Sequence, residues 1–148
     1  MANLQPTYAT ALTAAVAGMV ANQEAYRGFD REVEGTTPIG FGTVVVRGTA
    51  AHQCKPGSGG TLYLGIARIN PNVRPDESNA YAQYSQCSIV SKGVIWVTAG
   101  EAVNDGDAAY VTPAGAFMKT STSNTAIPAV FDDTVASGAV VRLRVRRS

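Results

Sequence analysis

The sequence is poor in charged side chains. Asp, Glu, Lys and Arg make up 16% of its 148 residues, against roughly 25% in an average soluble domain. A surface with so little charge favours contact with other molecules, although a small neutral β domain rich in Ser, Thr and Gly would have the same composition. The formal net charge is +1, so no overall field attracts the protein to nucleic acid.

The chain has a single histidine, His52, and this argues against most metal-dependent and triad-based enzymes. Its two cysteines, Cys54 and Cys87, do not form a Cys-x-x-Cys pair, so no zinc site can be assembled. The nucleophile-elbow pattern Gly-x-Ser-x-Gly is absent, and so are a P-loop, a dinucleotide-binding glycine pattern and a complete calcium loop. We therefore predict a protein that is not an enzyme and needs no metal or cofactor.

The N-terminal region lacks charge altogether. Residues 1–23 have no charged side chain, so the basic residues that open a signal peptide are missing. The mostly apolar stretch Ala11–Ala21 is too short and too rich in Ala, Thr and Gly to span a bilayer. We expect a soluble protein made inside the cell, with no membrane partner, and we favour free buried thiols over a disulfide.

Composition divides the chain into an arm and connector (1–35) and one β-body domain (36–148). Ala9–Ala21 could form a weak helix, but an arm that orders against a partner fits its composition better, the alternative being a frayed tail. Glu24–Gly35 contains the first charges and is interpreted as a solvated connector.

From Ile39 onward, β-branched and aromatic runs alternate with Gly, Pro and Asp turns. About eight short strands are predicted, with turns at Lys92-Gly93 and Asp105-Gly106. This pattern predicts an all-β fold, either a jelly-roll-like sandwich or a small barrel, with an extended N-terminal arm. Four large side chains are expected to hold the core, namely Phe41, Trp96, Tyr110 and Phe117.

The last strand alternates apolar residues with arginines, as a half-buried strand does. The apolar set is Val141, Leu143 and Val145, and the basic set is Arg142, Arg144 and Arg146. The basic stripe would suit carboxylates of a partner. The alternative is an edge strand that charge keeps soluble.

Four stretches in this order together resemble the small capsid cement, or decoration, proteins of tailed bacteriophages. They are Ala17–Asn22, Thr37–Gly48, Lys92–Val97 with Gly106–Val111, and Ala114–Phe117 continuing through Phe131, Gly138 and Val140–Leu143. Gly40 is inserted before the family's aromatic-glycine step. The Cys54 loop and the arginines after Leu143 match no feature of the family.

The resemblance implies a barrel or jelly-roll-like body on the outside of a phage head, made in the host cytoplasm. It implies binding to the major capsid protein, bridging of its copies against the pressure of packed DNA, and a symmetric homo-oligomer, with a dimer favoured over a trimer. The expected capsid-binding arm residues are Leu4, Tyr8, Leu12, Val16, Met19, Val20 and Asn22. Arg142, Arg144 and Arg146 are candidates for salt bridges to the capsid or to a second copy.

Two other functions were weighed. A carbohydrate-binding β-module on a virion or cell surface could use the six tyrosines and Trp96 for stacking, although the apolar strand around Trp96 favours packing. A metal-dependent jelly-roll oxygenase is disfavoured by the single histidine.

Overall fold

The computed structural model describes residues 16–22, 24–58, 62–70 and 80–146. Eleven strands are found there, and the all-β prediction is confirmed. They are β1 Arg27–Val33, β2 Ile39–Gly40, β3 Val44–Arg47, β4 Gln53–Pro56, β5 Tyr63–Ala67, β6 Ala80–Tyr81, β7 Gln86–Thr98, β8 Ala108–Val111, β9 Phe117–Met118, β10 Thr125–Phe131 and β11 Val140–Arg146. The weak helix considered for 9–21 is not present in residues 16–21, and the rest of that range lies outside the described residues.

Strand β7 has 13 residues and belongs to two closed groups of strands. In the first group the order is β1-β4-β3-β5-β7, and β1 pairs again with β7, so five strands close into a small barrel. In the second the order is β7-β11-β10-β8-β9, and a bridge between Ala99 and Phe117 returns β9 to the end of β7. One long strand is therefore the common wall of both groups.

The predicted turn at Lys92-Gly93 is wrong, because β7 runs through both residues. Gly93 has φ +131°, and a Cβ there would lie 2.6 Å from the Cβ of Tyr26. Glycine is needed at this position because Tyr26 approaches the strand closely. From the sequence alone, a glycine required by such a contact cannot be distinguished from a glycine required by a turn.

Two hydrophobic clusters fill the body, and β3 contributes to both. Val45 points into the first barrel, whose interior holds Val33, Ile39, Val45, Cys54, Leu64, Ala67, Tyr81, Cys87 and Ile89. Val44 and Val46 point the other way, into the larger cluster built around β7, β10 and β11. Successive strand residues face opposite sides, so the continuous Val44–Val46 run reflects a strand buried on both faces.

The core prediction is right for one aromatic residue and wrong for two. Phe117 is 3% exposed in the larger cluster, and Phe41 is partly buried beside the first cluster, edge-on to Tyr81. Trp96 and Tyr110 are only half-buried and belong to neither cluster. Both lie at outward positions of their strands, whose inward positions are taken by smaller residues such as Ile95 and Val97.

The solvated connector predicted for 24–35 is also corrected. Arg27–Val33 forms β1, which pairs antiparallel with β7 from Lys92 to Gln86 and parallel with β4. Only Phe29 and Val33 bury apolar side chains in this strand. The other residues of β1 are charged or glycine, so the composition of this strand resembles that of a loop, although β1 is hydrogen-bonded to β7.

Candidate interaction surface

Residues 16–22, here called the anchor segment, lie along the C-terminal half of β7. The amide of Gly18 donates to the carbonyl of Trp96 at 2.7 Å, and the amide of Trp96 donates to the carbonyl of Met19 at 2.8 Å. Ala21 donates a third main-chain bond to β7 at 2.9 Å. The anchor segment thus extends the pairing of β1 with β7 and covers an edge that would otherwise be open.

The anchor segment turns some predicted arm residues inward and others outward. Val20 pairs with Ile95 and packs against the larger cluster, so its side chain stabilises the body. Val16 and Met19 are 55% and 39% exposed. Asn22 accepts a hydrogen bond from the amide of Glu24 at 3.1 Å. The other predicted arm residues, Leu4, Tyr8 and Leu12, lie outside the described residues.

A close backbone contact at Gly18 holds the anchor segment against Phe41 and Gly42. Gly18 has φ +95°, and a Cβ on it would lie 2.9 Å from the Cβ of Phe41 and 3.1 Å from the amide nitrogen of Gly42. The carbonyl of Gly18 also accepts a bond from Ile69 at 2.8 Å. A Cβ on Gly42 would in turn lie 2.8 Å from that of Ala17. This close backbone approach brings together two of the stretches that carried the family resemblance.

Two of the three arginines predicted to reach a partner have carboxylate partners within the chain. Arg142 forms a bidentate pair with Asp133 at 2.7 and 2.8 Å, and this contact lowers the pKa of Asp133. Arg144 lies 2.6 Å from Glu24 and 2.8 Å from Asp132. Hydrogen bonding to Arg144 lowers the pKa of Glu24. These pairs link β11 to the loop after β10 and to the segment preceding β1.

One groove lies just after the anchor segment in the chain, and a second includes one of its residues, Ala17. The first, of about 390 Å³, lies where the segment preceding β1 meets β7 and β11, and it is lined by Glu24, Ala25, Lys92, Gly93, Arg144, Val145 and Arg146. The other, about 220 Å³ and more apolar, includes Ala17, Phe41, Gly42 and Phe117 in its walls. Both grooves are open to solvent.

The described residues contain no group of three or more His, Cys, Asp and Glu side chains that could hold a metal ion. No helix in the described part of the chain is both long and apolar enough to cross a membrane. Cys54 and Cys87 are free thiols buried inside the first barrel. Contact with Cys54 and burial raise the pKa of Cys87, which keeps that thiol protonated at neutral pH.

Comparison with known proteins identifies the family. The model of a family described as structural cement protein (E217 gp24/Pam3 gp6) matches residues 4–146. The chain belongs to this family of phage cement proteins. The resemblance seen in the sequence is therefore confirmed, and the protein is a structural component of phage virions. No curated protein matches the chain.

A solved structure from a phage capsid shares the fold of this cement protein. A chain in the structure titled "The capsid of Myoviridae Phage XM1" superposes with a TM-score of 0.73 at 18% identity, covering 95% of this chain and 96% of that one. At this identity the likeness shows the fold alone. The structure titled "The crystal structure of head fiber gp8.5 N base in bacteriophage phi29" has a TM-score of 0.49 at 14% identity, covering 84% and 97% of the two chains.

Proposed function

We propose that this cement protein binds the outside of a phage head and bridges neighbouring copies of the major capsid protein. Bridging would strengthen the shell against the pressure of packed DNA. The anchor segment is the observation that carries the proposal. It joins residues 1–15, which have no charged side chain, to a fixed point on β7 beside the exposed Val16 and Met19.

A charge-free stretch attached to a rigid body is suited to bridging. Fifteen residues could reach at most about 50 Å from their attachment point if fully extended. Such a stretch could lie across a subunit boundary, with Leu4, Tyr8 and Leu12 as apolar contacts and its main chain adding to a sheet of the partner. Each interface would be modest, but many copies act together on one shell. A two-fold homodimer remains our preferred arrangement.

The experiment compares the full chain with a variant that lacks residues 2–15. Each is mixed with DNA-filled heads that lack the protein, the heads are sedimented, and bound protein is measured against the major capsid protein. We expect saturable binding of the full chain at a fixed ratio, and at least tenfold weaker binding of the variant. Failure of the full chain to bind would overturn the proposal, and equal binding of both would exclude the arm as the main contact.

The truncation ends at residue 15 for a structural reason. Composition alone would place the end of the arm near Asn22. A deletion to that point would also remove Val20 from the larger cluster and expose the edge of β7. The shorter deletion leaves the anchor segment intact, so an unchanged melting temperature would show that its effect on binding is not caused by unfolding.

A further inference from the structure

Three cationic side chains form a row across the sheet. Arg27 on β1 lies opposite Lys92 on β7, and Lys92 lies opposite Arg146 on β11. Residues paired in this way project from the same face, and all three are exposed. Neighbouring strands are about 4.8 Å apart, so the row spans about 10 Å. We call these residues the cation row.

The cation row is not neutralised within the described part of the chain. The ion pairs of the described residues are made by Arg142 and Arg144, and none of these pairs involves Arg27, Lys92 or Arg146. The field of Arg146 contributes to lowering the pKa of Glu24, but the carboxylate of Glu24 is held by Arg144 at 2.6 Å. Like charges directly opposite each other destabilise a sheet. A carboxylate from a partner would remove this repulsion.

The position of the row connects it to the anchor segment. Lys92 and Arg146 line the groove of about 390 Å³. Along β7, Lys92 lies just before the residues that bind the anchor segment. A partner that contacts the exposed side chains of Val16 and Met19 would lie close to the cation row, because the anchor segment and Lys92 are neighbours along β7. Lys92 lies within β7, whereas Arg27 is the first residue of β1, beside a shift of register, and Arg146 is the last residue of β11.

We propose that the cation row docks onto acidic side chains of the capsid protein that this cement protein binds, an inference that rests on the proposed function. Carboxylates of a protein partner fit better than the phosphates of nucleic acid, because the whole chain has a net charge of only +1, whereas nucleic-acid binding depends on neutralising many phosphates.

The test is Lys92→Gln, which removes the central charge, with Lys119→Gln as the matched control at an exposed lysine away from the row. Binding to heads is titrated at several salt concentrations. We expect Lys92→Gln to weaken binding about fivefold at low salt and to flatten its salt dependence, since exposed charges act mainly through screened attraction. The control should match wild type. Lys92→Gln should melt no lower than wild type, because it relieves repulsion.

Each outcome separates the two proposals. If wild type binds heads and Lys92→Gln binds with the same affinity and salt dependence, the cation row is not a docking contact, while the proposed function stands. If wild type does not bind heads at all, both proposals fail. A gel-shift with a 30-base-pair duplex tests the other partner class. Binding of duplex at physiological salt that Lys92→Gln abolishes would overturn the assignment to carboxylates.

Discussion

Replacing Gly18 with alanine should loosen the anchor segment from β7 without unfolding the body. At φ +95° the left-handed backbone costs an alanine roughly 1–2 kcal/mol. Its Cβ would lie 2.9 Å from that of Phe41, and such overpacking costs about 1–3 kcal/mol. The strain therefore totals about 2–5 kcal/mol.

The forces that hold the anchor segment are of similar size. Its three hydrogen bonds to β7 and the bond from Ile69 contribute about 1 kcal/mol each. Partial burial of Val20 adds about 1 kcal/mol. Ordering the segment's main chain opposes these gains. Because strain matches the net attachment, we expect local detachment to limit the loss of global stability to about 2–4 kcal/mol.

Gly106→Ala is the matched control. Gly106 has φ +93°, and no atom lies within 4 Å of where its Cβ would be. This variant should show the cost of the left-handed backbone alone, roughly 1–2 kcal/mol. Urea unfolding followed by circular dichroism gives the two stabilities. Fluorescence of Trp96, the single tryptophan, reports locally, because its main chain bonds to the anchor segment. If Gly18→Ala cost no more than Gly106→Ala and left the emission unchanged, our account of the anchor would be refuted.

Three further predictions concern the body. Tyr81→Phe removes a hydroxyl donor to a main-chain carbonyl and should cost about 1–2 kcal/mol in urea unfolding, whereas no loss would show the bond to be dispensable. Asp133→Asn should cost about 1 kcal/mol at pH 7 by removing its pair with Arg142. Because the pairing lowers the folded pKa of Asp133, this stabilisation is present above the ordinary pKa and is lost as pH falls through the lowered value. The variant and wild type should therefore converge once the pH is below the lowered pKa, and a difference that stayed constant with falling pH would contradict this. Cys54 and Cys87 should resist a thiol reagent in the native protein and react once it is unfolded; rapid native labelling would show that the barrel opens.

Local pattern predicted the strands whose faces differ in polarity. In β11 the alternation correctly identified Val141, Leu143 and Val145 as buried. The Asp105-Gly106 turn is also found, with Gly106 at positive φ. In such strands the alternation of apolar and polar residues has the same period as the alternation of buried and exposed side chains, so the sequence is sufficient to predict which side chains are buried.

Local pattern did not predict features that depend on distant partners. Strand β1 was missed because its pairing with β7 compensates for a composition typical of loops. The apolar neighbours of Trp96 predict a core position for it, but Ile95 and Val97 take the inward positions. The carboxylate partners of Arg142 and Arg144 lie in the loop between β10 and β11 and in the segment that precedes β1, and the alternation within β11 could not indicate them.

The cation row was missed for the same reason. Arg27, Lys92 and Arg146 are separated by more than 50 residues each, and only the register of β1, β7 and β11 aligns them. The family resemblance did carry structural information. Its N-terminal stretch and its Gly40–Gly42 step meet where Gly18 contacts Phe41.

The central claim is that this cement protein strengthens a phage head, and release of packaged DNA on heating tests it most directly. DNA-filled heads lacking the protein are saturated with the full chain, with the variant lacking residues 2–15, or with buffer. They are then heated with a dye that reports free DNA. The account predicts a higher release temperature with the full chain than with the variant or with buffer. An unchanged release temperature, despite binding shown by sedimentation, would contradict it.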